Sequence, residues 1–267
     1  MTARRLDVEL VTRGLARSRT QARELITAGV VLVDGRPAGK PALPVDDATI
    51  VELTREPDRW VGRAALKLLH ALDTWPITVA GRRCLDVGAS TGGFTQVLLE
   101  RGAAHVTALD VGHDQLVSSI ATDPRVRDLP GTNIRDVDAD ALGGRFDLVV
   151  SDLSFISLAI ALPAMRPLVT DDGDLVVLVK PQFEVGRERL GRRGVVTSRH
   201  EHRRVLRDVA EVVLDEHLHV HGAATSPITG GDGNREFLFW LAPRPVPDAS
   251  PTRVDDMLEA IDLEGDP

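Results

Sequence analysis

Residues 84–95 read CLDVGASTGGFT. The stretch joins an apolar strand to the start of a helix. Gly88, Gly92 and Gly93 permit a tight turn and let a ligand approach the backbone. Their spacing, G-x-x-x-G-G, is not the G-x-G-x-x-G of the dinucleotide fingerprint, and the lack of G-K-[ST] excludes a P-loop. Asp86 stands ahead of the loop, and Asp110, 24 residues later, ends the next strand. An acidic side chain there can take both hydroxyls of a ribose. A Gly-rich turn with a surface aspartate is the plain alternative, but acids on both sides of the loop favour a cofactor site.

Working outward, RRCLDVG, AHVTALDV, RFDLVVSDL and GDLVVLVKP read as strands. GGFTQVLLERG, SLAIALPAMRPLV and RHEHRRVLRDVAEVVLDE read as helices between and after them, and a further helix at roughly 63–72 comes before. Val-, Leu- and Ile-rich runs alternating with helices predict an α/β fold, a doubly wound and mainly parallel sheet. LHVHGAATSPI and REFLFWLAP read as two closing strands, an antiparallel pair, and VDDMLEAI as a last helix.

The first sixty residues have another texture. Leu6–Gly14 and Arg19–Gly29 each show apolar residues at helical spacing and close on a glycine, and Ser18 is a candidate N-cap of the second. The strand VVLVDGRPAGK follows, and its Asp34-Gly35 is a hairpin signal. Two helices and a hairpin make a small α+β unit, near the lower size limit of a free-standing domain.

At 267 residues and 43% apolar content the chain can build one or two domains with a sizeable core. The formal charge is −8, but unevenly spread. Residues 1–40 hold eight Arg or Lys against four Asp or Glu, and residues 248–267 hold one Arg against seven acids. A basic end on an acidic protein points to a local anionic partner. The single Cys84 excludes an intrachain disulfide and suits a reducing compartment. MTARRLDVEL lacks the apolar core of a signal peptide, and no run is long enough to span a membrane. A soluble cytoplasmic protein without a metal is expected.

Only three cations are lysine: Lys40, Lys67 and Lys180. Every other one is arginine. Lys180 ends the apolar run LVVLVKP, where a solvated charge is not expected. A lysine amine can be brought to neutrality by burial, whereas a guanidinium stays protonated. Asp152 follows the strand FDLVV, Glu236 begins REFLFW, and Lys67 lies on an almost wholly apolar helix. Singly, each has an ordinary reading: a snorkelling lysine, a helix cap, a surface ion pair. Together, two of three lysines and two acids fall around one predicted cofactor.

K…D…K…E in this order on this scaffold resembles the tetrad of the FtsJ-like ribose 2′-O-methyltransferases. CLDVGASTGGFT resembles motif I of class I (Rossmann-like) S-adenosylmethionine-dependent methyltransferases. RLDVELVTRGLARSRTQARELITAGVVLVDG resembles an S4 RNA-binding domain. The combination covers nearly the whole chain and resembles the TlyA family of rRNA 2′-O-methyltransferases, some of which carry a haemolysin label. SDLSFIS and VKPQFEVG are among that family's most recognisable stretches. Where the family tends to have Arg-x-Trp-Val, this chain has Asp58-Arg59-Trp60-Val61.

The resemblance implies an S4-like domain at 1–56, a linker at 57–63 and a methyltransferase domain at 64–267. It implies Lys67, Asp152, Lys180 and Glu236 as catalytic residues, with Lys180 taking the proton of a ribose 2′-hydroxyl. S-adenosylmethionine is the implied cofactor, and Asp86 would help fix its amino-acid end. Gly88, Ala89, Ser90, Thr91, Gly92, Gly93 and Phe94 would form its loop. Asp110 and Val111 would flank its ribose, Asn133 and Ile134 its adenine, and Asp152 and Phe155 would lie beside it. Cytidine in 16S rRNA, 23S rRNA or both is the implied substrate, bound by a monomer with no membrane partner.

Arg4, Arg5, Arg17, Arg19 and Arg23 cluster on the S4-like unit, and Arg63 ends the linker. Arg187, Arg189, Arg192 and Arg193 open a second run after Lys180 that continues to Arg207. Solvated basic faces are the plain alternative; on an S4-like unit, phosphate binding in structured RNA is expected. Two rival functions remain: a pore-forming haemolysin, which predicts an exported chain with a membrane-competent segment, and a non-catalytic S4 RNA-binding protein, which predicts a decayed tetrad.

Overall fold

The computed structural model describes residues 3–16, 19–55, 59–186, 189–190, 194–246 and 251–261. The chain divides into two compact units, Met1–Arg59 and Trp60–Pro267.

The first unit runs β1 (Arg4–Arg5), α1 (Leu6–Thr12), α2 (Arg19–Thr27), β2 (Val31–Val33), β3 (Arg36–Pro37), β4 (Pro44–Val45) and β5 (Val51–Leu53). β2 pairs antiparallel with both β3 and β5, and β1 with β4. Asp34 and Gly35, at φ 48° and 75°, form the predicted two-residue hairpin turn. Leu6, Leu10, Ala22, Ile26 and Val31 close a small core between helices and strands. Ser18, the candidate cap, lies outside the described residues.

The second unit begins with α3 (Ala65–Thr74) and continues β6 (Arg83–Val87), α4 (Gly93–Glu100), β7 (His105–Leu109), α5 (Ser118–Ala121), β8 (Val126–Leu129) and β9 (Phe146–Ser151). It ends with α6 (Leu158–Met165), β10 (Val169–Val179), α7 (Pro181–Glu184), α8 (Arg199–Asp215), β11 (His219–Thr225), β12 (Phe237–Ala242) and α9 (Pro251–Glu259). Among the described residues one seven-stranded sheet has the order β11-β12-β10-β9-β6-β7-β8. β8, β7, β6, β9 and β10 are parallel, while β12 runs antiparallel to both β10 and β11. This is the predicted doubly wound sheet, closed by an antiparallel pair.

Side chains alternate between faces with the period of a strand. Leu85, Val87, Val149, Leu175, Val177 and Val179 pack with Leu162 of α6 and Val205 of α8. Cys84, Leu148, Val150, Val176 and Leu178 pack with Leu68 of α3 and Val97 of α4 on the other face. Helices on both faces explain why these strands read as unbroken apolar runs. At the far end of the sheet the buried Asp174 accepts hydrogen bonds from Arg82, Arg244 and the indole of Trp240, tying β10 to β12.

The order of connection reverses between β6 and β9, and the crevice at that switch point is the expected ligand position. Among the described residues no helix is long and apolar enough to cross a membrane.

Candidate active site

The register of the sheet gathers the charged residues. β10 and β12 pair Val179 with Phe237, so Lys180 and Glu236 leave the sheet opposite one another. β9 lies on the other side of β10, and Asp152 follows its last residue, Ser151. α3 packs over this edge and brings Lys67. Lys67 Nζ stands 3.1 Å from Asp152 Oδ2 and 2.6 Å from Glu236 Oε2. Lys180 Nζ stands 2.6 Å from Asp152 Oδ1 and donates a hydrogen bond of 3.0 Å to Ser154 Oγ. Lys67, Lys180 and Glu236 are buried, and two cations offset two carboxylates. Removing one partner of such a set strands a buried charge. Burial pushes the Asp152 carboxyl up, but Lys180 and Lys67 outweigh it and hold it below its ordinary value.

The glycine loop follows β6. Gly88 has φ 87°, and a Cβ there would come 3.1 Å from the Asp152 carbonyl oxygen, so the close approach of the two strand ends requires glycine. Gly92, at φ 96°, turns the chain into α4. Asp110 Oδ2 accepts from the Ser90 amide and its Oδ1 from the Gly112 amide. Oδ1 also accepts from the Gln115 side-chain amide at 3.3 Å, so of a carboxylate's roughly four acceptor positions the one still open is on Oδ2.

Three cavities surround the charged cluster. One of about 390 Å³ is lined by Gly88, Ser90, Asp110, Val111, Asn133, Ile134, Asp152 and Phe155. A second, of about 310 Å³, is lined by Arg63, Gly88, Ala89, Ser90, Thr91, Gly93, Phe94, Asp152 and Lys180. A third, of about 640 Å³, is lined by Arg63, Lys67, Phe155, Lys180, Phe183 and Glu236. Ser154 lines all three. Phe155 adopts φ 65°, unusual for an aromatic residue, and is 91% exposed. Its ring lies 5.2 Å from that of Phe183.

Asp86 and Gly92 differ from the other predicted cofactor residues, since neither lines any of these three cavities. Gly92 packs under the loop against Leu116 and Ile120. Asp86 is buried behind the loop, where its Oδ2 accepts from Thr95 Oγ1 at 2.6 Å. Its Oδ1 finds no hydrogen-bond partner among the described residues. Burial, aided by the charges of Asp152 and Asp110 and opposed by Thr95, pushes this carboxyl up to about 7. A carboxyl raised on folding adds stability that is fully present below its unfolded value of about 4 and is lost as pH rises through the folded value. Asp86→Asn carries no such cost. Its melting temperature is therefore expected to gain on wild type between about pH 5 and about pH 8.5, measured by thermal melts at both. Parallel pH dependence in the two proteins would show that Asp86 is ionised throughout.

Sequence reasoning missed Ser154, Gln115, Phe183 and Glu184. Ser154 had one available signal, its place two residues after Asp152. Glu184 is half-buried and its carboxyl is raised by desolvation, and it accepts from Ser157 Oγ at 2.6 Å and the Leu158 amide at 2.9 Å. It thereby ties the 152–157 loop to α7, which starts directly after Lys180.

The expected RNA-binding arginines are less free than their sequence suggests. Asp7, fully buried, takes hydrogen bonds from Arg5, Arg19 and Arg23 at once. Arg5 first, with the other two, holds its carboxyl well below the usual range. Arg4 pairs with Glu9. These four guanidiniums nevertheless remain about half exposed. In the second run Arg189 lies 3.9 Å from Glu201, and Arg203 and Arg207 pair with Glu259 of α9. Arg17, Arg187, Arg192 and Arg193 lie outside the described residues.

A family model for "FtsJ-like methyltransferase" matches residues 60–242, and one for "S4 domain" matches residues 4–51. The chain is 51% identical to the 16S/23S rRNA (cytidine-2′-O)-methyltransferase TlyA of Mycobacterium tuberculosis, over 97% of this chain and 94% of that one. It is 34% identical to Hemolysin A of Brachyspira hyodysenteriae, over 88% of this chain and 98% of that one. A solved structure from Streptococcus thermophilus bearing a hemolysin label is 40% identical, with a TM-score of 0.71 over 97% of this chain and 95% of that one. With both domains matched and near-complete coverage of these relatives, the chain belongs to the TlyA family, an S4 domain followed by an FtsJ-like methyltransferase.

Proposed function

We propose that this protein methylates the ribose 2′-hydroxyl of cytidine in 16S rRNA, 23S rRNA or both, using S-adenosylmethionine. The observation that carries the reading is the convergence of three cavities on Ser154, two of which reach Lys180, beside a paired set of two lysines and two acids.

The residues present fit the cofactor. Asp110 Oδ2 offers an acceptor for a ribose hydroxyl, Asn133 and Ile134 line the end of the same cavity, and the glycine loop leaves backbone accessible in the second. When bound, the cofactor supplies an electrophilic methyl group on a sulfonium. The third cavity takes the target nucleoside, and the exposed Phe155 with Phe183 offers its base an aromatic face.

A ribose hydroxyl is a poor nucleophile until its proton leaves. Lys180 removes that proton. Asp152 holds Lys180 in place, and Lys67, shared between Asp152 and Glu236, keeps both carboxylates fixed. Holding oxygen and methyl group in line contributes much of the acceleration. Arg63, at the edge of the second and third cavities, suits a phosphate of the RNA.

Residues 1–56 act as the RNA-binding part, 57–63 as the connection and 64–267 as the catalytic part. Arg4, Arg5, Arg19 and Arg23 bind phosphates through their exposed sides. We read the protein as a monomer that meets ribosomal RNA in the cytoplasm. A non-catalytic RNA-binding protein would have no need of a closed, paired K-D-K-E set.

The test is mapping of alkali-resistant 2′-O-methyl positions in 16S and 23S rRNA from cells with and without the protein. A cytidine methylated only in its presence is the expected result. Identical maps would overturn the reading.

A further inference from the structure

We propose that Ser154 is a positioning residue that aims the Lys180 amine at the hydroxyl to be deprotonated; this rests on Lys180 being the base. A lysine ammonium carries three N–H groups, and the neutral amine carries two and a lone pair. To accept a proton, the amine must turn that lone pair toward the substrate. Rotation about the Cε–Nζ bond is free unless neighbouring acceptors hold the N–H groups.

Asp152 cannot set this rotation alone. Its Oδ1, 2.6 Å from Lys180 Nζ, holds one N–H, which still leaves two tetrahedral positions open to the lone pair. Its other oxygen is drawn to Lys67 at 3.1 Å. The second acceptor of Lys180 is Ser154 Oγ at 3.0 Å. With one N–H directed to Asp152 and one to Ser154, the remaining tetrahedral position is left to the lone pair.

Ser154 is suited to this task by its place. Lys180 is 7% exposed, whereas Ser154 is exposed and borders every cavity of the site. The hydroxyl stands where target nucleoside, cofactor space and base meet. Its loop is not loose: Glu184 bonds to Ser157 and Leu158 and so fixes the loop to the helix that follows Lys180. Base and hydroxyl are therefore carried by one clamped piece of structure.

Because Ser154 is exposed, Ser154→Ala should fold. The assay is single-turnover methylation of rRNA lacking the modification, with RNA and S-adenosylmethionine saturating. The rate is expected to fall about 10- to 100-fold, as for a misaimed catalytic group, with both dissociation constants within about two-fold of wild type. The rising limb of the pH–rate profile should also move to lower pH, because an acceptor that favours the ammonium form is gone. Asp152, Lys67, Glu236 and Arg63, the charged groups around the amine, are unchanged in this variant. Ser154→Thr, which keeps the hydroxyl, should recover most of the rate.

A wild-type rate in Ser154→Ala overturns the proposal. So does a loss explained by weaker RNA or cofactor binding with an unmoved pH limb. Lys180→Arg, run in parallel, separates the two levels. If it is inactive while Ser154→Ala is unimpaired, only the role of Ser154 fails. If it is fully active, the assignment of Lys180 as base fails.

Discussion

Lys180→Arg is expected to slow single-turnover methylation by about 10²- to 10⁴-fold, the usual contribution of a positioned general base. Arginine keeps the positive charge and much of the reach, so attraction for RNA and the pairing with Asp152 should survive. It removes the one thing lysine adds, an amine that can exist without its proton. Cofactor and RNA affinities should therefore stay near wild type while the chemical step is lost. The wild-type rate should rise with pH as the amine becomes available, and that limb should be absent in the variant. Lys180→Ala should be no slower than Lys180→Arg if proton removal is the deficit. A Lys180→Arg enzyme with near-normal rates would reduce Lys180 to a charge and send the proton out by water or Asp152.

Removing residues 1–56 is expected to abolish methylation of ribosomal RNA while leaving cofactor binding intact. Each unit has its own hydrophobic core, so the second is expected to fold without the first. The retained catalytic unit keeps the tetrad and all three cavities, which calorimetry with S-adenosylmethionine would register. A milder version is Arg19→Gln with Arg23→Gln in the full chain. Asp7 keeps Arg5 as its partner there, whereas glutamates would crowd acids around a buried carboxylate. Binding of rRNA should weaken, and its dependence on log salt should flatten by about one to two units, one for each phosphate no longer neutralised. Full activity of the truncated protein on ribosomal RNA would refute this division of labour.

The sequence alone determined the parallel sheet, the glycine loop and the S4 hairpin, because each is written in local pattern. Apolar runs report strands buried on two faces, glycines report turns only they can make, and Asp34-Gly35 reports a tight hairpin. The scarcity of lysine even singled out Lys67 and Lys180. What only the tertiary structure decided is who meets whom. Lys67 and Glu236 are far apart in the chain, yet stand 2.6 Å apart because α3 packs over the edge where β10 and β12 end. Asp86, read as a cofactor residue, is buried and bonded to Thr95 of α4, a partner that only the packing of α4 on β6 supplies. Arginines read as a basic face are tied to Asp7, because a carboxylate on α1 and guanidiniums on α2 become neighbours only once the helices pack. Ser154 had no signal beyond its nearness to Asp152; its meaning comes from a strand end, β10, that reaches it across the sheet. Local patterns encode burial and turning, whereas a site is made by pairings between distant segments, and those depend on strand order and register.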